Sequence, residues 1–126
     1  MRANTRRDTR PELAVRRQLH RAGLRFFVDR SLRLPDRVVR PDITFTRVRV
    51  AVFIDGCFWH ACPEHGTQPA HNHGYWGPKL QRNVARDRAV DRALQHAGWL
   101  SLRYWEHETP DGVAASIASV LDGRKL

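Results

Sequence analysis

The sequence predicts an α/β domain in which a mixed β-sheet is covered by helices. Three observations carry this. The run Val48 to Ile54 (VRVAVFI) is almost continuously apolar, as in a central strand buried on both faces. Tyr75 to Ala97 reads as one long helix stopped by Gly98. Trp99 to Trp105 (WLSLRYW) then returns to a strand, and Thr109-Pro110-Asp111 opens a last helix as N-cap, first helical residue and acidic first turn.

The remaining elements follow in order. Thr9 and Glu12 form a T-x-x-E capping box. Pro11 sits in the first turn, where its missing N–H costs little. Leu13, Ala14 and Leu19 supply apolar contacts, and Gly23 is the expected left-handed C-terminal stop. Leu24 to Val28 reads as a short strand, and Ser31 to Arg40 as a basic, proline-containing loop or hairpin. Asp42-Ile-Thr-Phe-Thr alternates polar and apolar residues directly after Pro41, as a strand does. From Cys57 to about Gly74 runs a segment rich in Cys, His, Pro and Gly; loops of that length are usually functional. Ala114, Ile117, Ala118 and Leu121 give the last helix its apolar face. The predicted order is α-β-β-β-loop-α-β-α.

A chain of 126 residues is expected to form a single domain, residues 1–126, with a true core. It has no apolar stretch long enough to span a membrane. The opening MRANTRRDTRPE lacks the apolar segment of a secretory signal, so a cytoplasmic, nucleoid-associated protein is expected. Lys+Arg is 22 against Asp+Glu 13, a net charge of +9, and all but Lys79 and Lys125 of the cations are arginines. Such a balance suits phosphate backbones, where each contact releases condensed counterions and arginine binds in bidentate fashion.

Several acids stand where solvation alone explains them poorly. Asp42 opens one strand and Asp55 closes the most apolar one. If the strands are neighbours, both carboxylates reach one end of the sheet, where they repel unless a cation intervenes. Oxygen donors of this kind suit Mg²⁺; the plainer reading of Asp55-Gly56 is a turn. Asp87 falls on the apolar stripe of the long helix, between Val84 and Leu94, with Asn83 one turn earlier. Either it has a task there or it pairs with a cation such as Arg103. His60, in Gly56-Cys-Phe-Trp-His, is a candidate for proton transfer. Cys57, Cys62 and His65 make a C-x4-C-x2-H set suited to tetrahedral zinc, with His107, His71 and His73 as candidates for the fourth ligand. Phe58, Trp59 and Trp76 either pack over that knuckle or stack on bases.

Together these motifs resemble the very short patch repair (Vsr) endonuclease family, over nearly the whole stretch from Met1 to His107. The resemblance is carried by MRANTRRDTRPE, RPDITF, VAVFIDGCFWHACPEHG, YWGPKLQRNVARDRAVDRAL and GWLSLRYWEHE. It implies a restriction-endonuclease-like mixed sheet flanked by helices, with a zinc knuckle. It also implies Mg²⁺-dependent nicking of one DNA strand at a T:G mismatch, leaving a 5′-phosphate and a 3′-hydroxyl. Asp42 then matches the metal-binding aspartate, Ile54 the residue whose carbonyl is a ligand, and His60 the catalytic histidine. Asp87 matches its helical partner, and Glu12 an acid that holds metal-bound water. Phe58, Trp59 and Trp76 match aromatics that wedge into double-stranded DNA. From its helix position alone, Asn83 is expected to line the cleft of Asp87 and to contact DNA. Cys57, Cys62, His65 and His107 match four structural zinc positions. Asp55 departs from the family's best-known member, which has a histidine there; it is expected to add a Mg²⁺ ligand.

The resemblance further implies a monomer working with repair-pathway proteins. Two alternatives remain open on sequence. One is a restriction-type or defence nickase acting on paired DNA. The other is a zinc-stabilised lesion-binding module without cleavage, which has no use for acids beside phosphates.

Overall fold

The computed structural model describes residues 10–56 and 73–124, with side chains over 10–56 and 81–124. Helix α1 (Arg10–Arg21) leads into β1 (Phe27–Val28). A hairpin follows, β2 (Leu32–Leu34) and β3 (Arg37–Val39), and then β4 (Ile43–Phe45) and β5 (Val50–Asp55). Helix α2 (His73–His96), strand β6 (Leu100–Trp105) and helix α3 (Pro110–Arg124) complete the order. The α/β class and the predicted element order stand, with the Ser31–Arg40 segment resolved as a hairpin. Thr9, the predicted cap of α1, lies outside the described residues.

The main sheet has the order β1-β4-β5-β6. β4 pairs antiparallel with both β1 and β5, and β5 pairs parallel with β6, so the sheet is mixed. The predicted central strand is central, but it begins at Val50 rather than Val48. Arg49 has a φ of 57°, which ends the turn from β4 and cannot be strand backbone.

Strand alternation assigns the two faces. Ile43, Phe45, Val50 and Val52 pack with Val15 and Leu19 of α1 and with Val113, Ile117 and Leu121 of α3. On the other face Ala51 packs with Leu94 of α2, and Leu32 and Val39 of the hairpin join them. Truncating a fully buried Leu19, Leu94 or Ile117 to alanine removes about 2–5 kcal/mol.

Both predicted glycine stops have the same geometry. Gly23 (φ 79°) donates to the His20 carbonyl and Leu24 donates to that of Leu19; Gly98 (φ 87°) donates to Gln95 and Trp99 to Leu94. Each is a Schellman motif that satisfies carbonyls left over at the helix end. At the foot of the sheet, Arg124 in the last turn of α3 donates to the carbonyls of Val48, Arg49 and Gly98. Among the described residues no helix is long and apolar enough to cross a membrane.

Candidate active site

The register of β4 and β5 sets Ile43 opposite Val52. Asp42, at the head of β4, and Asp55, at the end of β5, therefore leave the sheet at the same end. The Asp42 N–H donates to the Val52 carbonyl, and its Oδ2 accepts from the Ile54 N–H at 2.7 Å. That bond fixes the carboxylate against the backbone of Ile54.

The carboxylates nearest Asp42 come from α1 and from the end of β1. Glu12, Asp29 and Asp42 place one oxygen each within 4.8 Å of one another. Glu12 is 1% exposed, because α1 carries it into the sheet edge on the side of the fully buried Leu19. Asp29 arrives through a left-handed backbone (φ 51°) just after β1, where its N–H reaches the Asp42 carbonyl at 3.3 Å. Arg16 lies 3.9 Å from both Glu12 and Asp29. Burial pushes the Asp42 carboxyl up to about 8. The hydrogen bond with Glu12 and the charges of Glu12 and Asp55 push the same way, against the Ile54 N–H. Three crowded carboxylates fit a hard, oxygen-loving cation, whose charge relieves their repulsion.

Asp55 and Asp87 are organised differently. Arg103 of β6 sends Nη1 to Asp55 at 3.1 and 3.2 Å, and to Asp87 Oδ1 at 3.6 Å. Its Nε reaches both oxygens of Asp91 at 2.9 and 3.0 Å, and Ser101 donates to Asp91 at 2.7 Å. The guanidinium also lies 4.2 Å from the centre of the Phe53 ring. The pairing of Asp87 with Arg103, one of its two sequence readings, is thus present. The groove over this cluster is lined by Asp55, Val84, Asp87, Arg88, Asp91, Arg103, Tyr104 and Trp105.

Of the site residues named from the sequence, Asp42 and Glu12 are brought together. Asp55 stands at the same sheet end but is held by Arg103, and Asp29 takes a place in the acidic cluster. Asp29 and Arg16 were missed by sequence reasoning. The sequence signal went only as far as the strand read up to Val28, which leaves Asp29 at its end; the pairing that sets it level with Asp42 is seen only in the fold.

Asn83 is half-buried on α2. His107 is exposed, just beyond β6. Because Asp55 pairs with Trp105 in parallel register, the chain leading to Cys57 and the chain leading to His107 leave the sheet side by side. His73 and Trp76 lie in the first turns of α2, with side chains outside the described set. Cys57, Phe58, Trp59, His60, Cys62, His65 and His71 lie outside the described residues, and the zinc knuckle with them.

A family model described as "DNA mismatch endonuclease Vsr" matches residues 1–65. The chain belongs to the Vsr DNA mismatch endonuclease family. Among its relatives is the type II nicking enzyme V.NaeI of Lentzea aerocolonigenes, 54% identical over 96% of this chain and 74% of the relative. The type II nicking enzyme V.XorIIP of Xanthomonas oryzae pv. oryzae is 38% identical over 92% of this chain and 85% of its own. The DNA mismatch endonuclease Vsr of Escherichia coli is 37% identical over 84% of this chain and 66% of its own. The Vsr-family chain is therefore a DNA endonuclease, and the non-cleaving lesion binder is set aside.

Proposed function

We propose that this chain is a metal-dependent DNA nicking endonuclease of the kind named in its type II relatives. The observation that carries the chemistry is the cluster Glu12, Asp29 and Asp42, with Asp42 anchored by the Ile54 N–H. The nicking specificity rests on V.NaeI and V.XorIIP, to which the chain is similar over nearly its whole length.

Asp42 and Glu12 would hold Mg²⁺ at the sheet end, with Asp29 beside them. When bound, the ion supplies Lewis-acid stabilisation of charge on the phosphate and the departing 3′ oxygen. His60 would move the proton, with Asp87 orienting it. Arg103 keeps Asp87 and Asp55 at fixed places on the adjoining groove wall. Phe58, Trp59 and Trp76 would wedge into the duplex, where an unpaired or mispaired step opens at lower cost. Cys57, Cys62, His65 and His107 would hold a structural zinc, whose four ligands leave no open position.

A second reading narrows the substrate to a T:G mismatch, as the sequence resemblance implied. It is favoured by the description of the matching family model and by the similarity to the Escherichia coli enzyme. A strand-specific assay separates the two. Labelled duplexes carrying T:G, C:G or T:A at one position are incubated with Mg²⁺ or EDTA. Mg²⁺-dependent nicking of one strand is expected. Cutting of the paired duplexes supports the restriction-type nickase, and cutting confined to the T strand of T:G supports mismatch repair. No product on any duplex would overturn both.

A further inference from the structure

Residues 30–40 hold four arginines and one acid, Asp36. Arg30, Arg33, Arg37 and Arg40 are all exposed. They sit on or beside the β2–β3 hairpin, whose register pairs Leu32 with Val39, Arg33 with Val38 and Leu34 with Arg37. Period-two alternation divides the ribbon. Leu32, Leu34 and Val39 face the molecule and pack with Ala51, Phe53, Val90, Leu94 and Trp99. Arg33 and Val38 face outward, and Val38 is 62% exposed, an apolar side chain left in solvent; Arg37, opposite Leu34, belongs to the inward set by register but is exposed at the turn end of the ribbon.

The four cations are not equivalent. Arg30 lies over the Phe27 ring at 4.3 Å, and Arg40 donates to the Ser31 hydroxyl at 3.3 Å. Arg33 and Arg37 have no carboxylate partner among the described residues. The ribbon is thus anchored by its apolar face and presents uncompensated charge on its rim. It also ends at a decisive place, because β3 runs through Arg40 and Pro41 straight into Asp42. A basic ribbon one step from the acid cluster flanks whatever phosphate that cluster receives.

We infer that the β2–β3 hairpin is a DNA-contacting ribbon beside the cut site, with Arg33 on its outer face and Arg37 at its turn end on backbone phosphates, and Val38 facing the groove beside Arg33. This rests on the reading of the chain as a DNA endonuclease. A two-stranded ribbon is narrow enough for the major groove. Phosphate contacts of this kind set affinity and register on the duplex, leaving the choice of base to other residues. Val38 adds the apolar contact that suits sugars and thymine methyl groups.

The test is a salt series of binding by fluorescence anisotropy. It uses the full chain, labelled T:G and fully paired duplexes, and Ca²⁺ in place of Mg²⁺. Arg33→Gln/Arg37→Gln is compared with Arg25→Gln/Arg47→Gln. The control removes the same charge from exposed positions toward the opposite end of the sheet. The hairpin variant is expected to lower the slope of log affinity against log salt by about 1.8, at about 0.9 per phosphate contact. It should weaken mismatched and paired DNA equally, while the control moves the slope far less. Arg33→Lys/Arg37→Lys should restore the slope, which separates charge from packing. An unchanged slope in the hairpin variant, or an equal loss in the control, overturns the inference while leaving the endonuclease reading intact. Failure of the unaltered chain to bind or cut DNA overturns both.

Discussion

Arg103 Nη1 stands 3.1 Å from Asp55 Oδ2, at the end of the parallel β5–β6 pair. The Asp55 carboxylate therefore has a guanidinium to answer before any metal ion. Arg103 is held charged by Asp55, Asp87 and Asp91, which outweigh its burial and push its pKa above the ordinary value. One cation thus ties β5, β6 and two turns of α2 together.

Arg103→Met would leave three carboxylates facing one another. The Arg103 and Asp55 side chains are only 20% and 10% exposed. A loss of about 2–3 kcal/mol is expected, below the range of about 3–5 for fully buried pairs. Urea denaturation measures it. Asp55→Asn/Arg103→Met should lose less than the two single variants summed, and strict additivity would remove the coupling.

Asp42 is a destabilising residue at neutral pH. In the folded chain it keeps its proton up to about 8, whereas the ordinary value is 3.8. Between these values the folded state binds more protons than the unfolded one, so stability falls as pH rises and levels off above about 8. Asp42→Asn should abolish nicking, keep DNA binding, and raise the Tm most above pH 8. A Tm gain that is the same at pH 4 and pH 8.5 would contradict the buried proton.

The same proton opposes Mg²⁺. Stabilisation by added Mg²⁺ should be small at pH 6 and larger above pH 8, because the ion needs the ionised carboxylate. Glu12→Gln and Asp29→Asn should each shrink the Tm rise at pH 8.5. A rise that ignores both pH and these variants would place the ion elsewhere.

Elemental analysis should find one zinc per chain, lost on Cys57→Ser or Cys62→Ser and weakened by His107→Ala. Full zinc content in Cys57→Ser would remove that residue from the ligand set. Because structural zinc contributes directly to folding, its extraction should lower the Tm.

The framework was legible wherever a single local signal sufficed. Gly23 and Gly98 marked helix ends because a left-handed backbone favours glycine, and the apolar run at Val48–Ile54 marked the central strand because both its faces are covered. Ser31–Arg40 stayed undecided between loop and hairpin, since each of its strands is three residues long and its outward positions are basic. Asp42 was legible from Pro41 and the strand behind it. Asp29 was not, because only the pairing of Val28 with Ile43 brings it beside Asp42. Asp55 looked like a partner for Asp42 because strand order alone puts them at one end. The position of Arg103, on a strand whose parallel register appears only in three dimensions, decides which way that carboxylate is engaged.

The parallel β5–β6 pairing joins Val50 to Leu100, so this central seam of the sheet closes only after some fifty intervening residues are gathered in. That makes the domain a slow assembler relative to its helices, since distant pairing must wait for the chain to loop back. It also makes the crossing tolerant of insertion. The entropic cost of closing a loop grows logarithmically, by about 0.6 kcal/mol for each doubling of length. Added length in the crossover between β5 and β6 therefore costs the sheet little. The β4–β5 framework that holds Asp42 against the Ile54 N–H is closed locally and does not depend on that length.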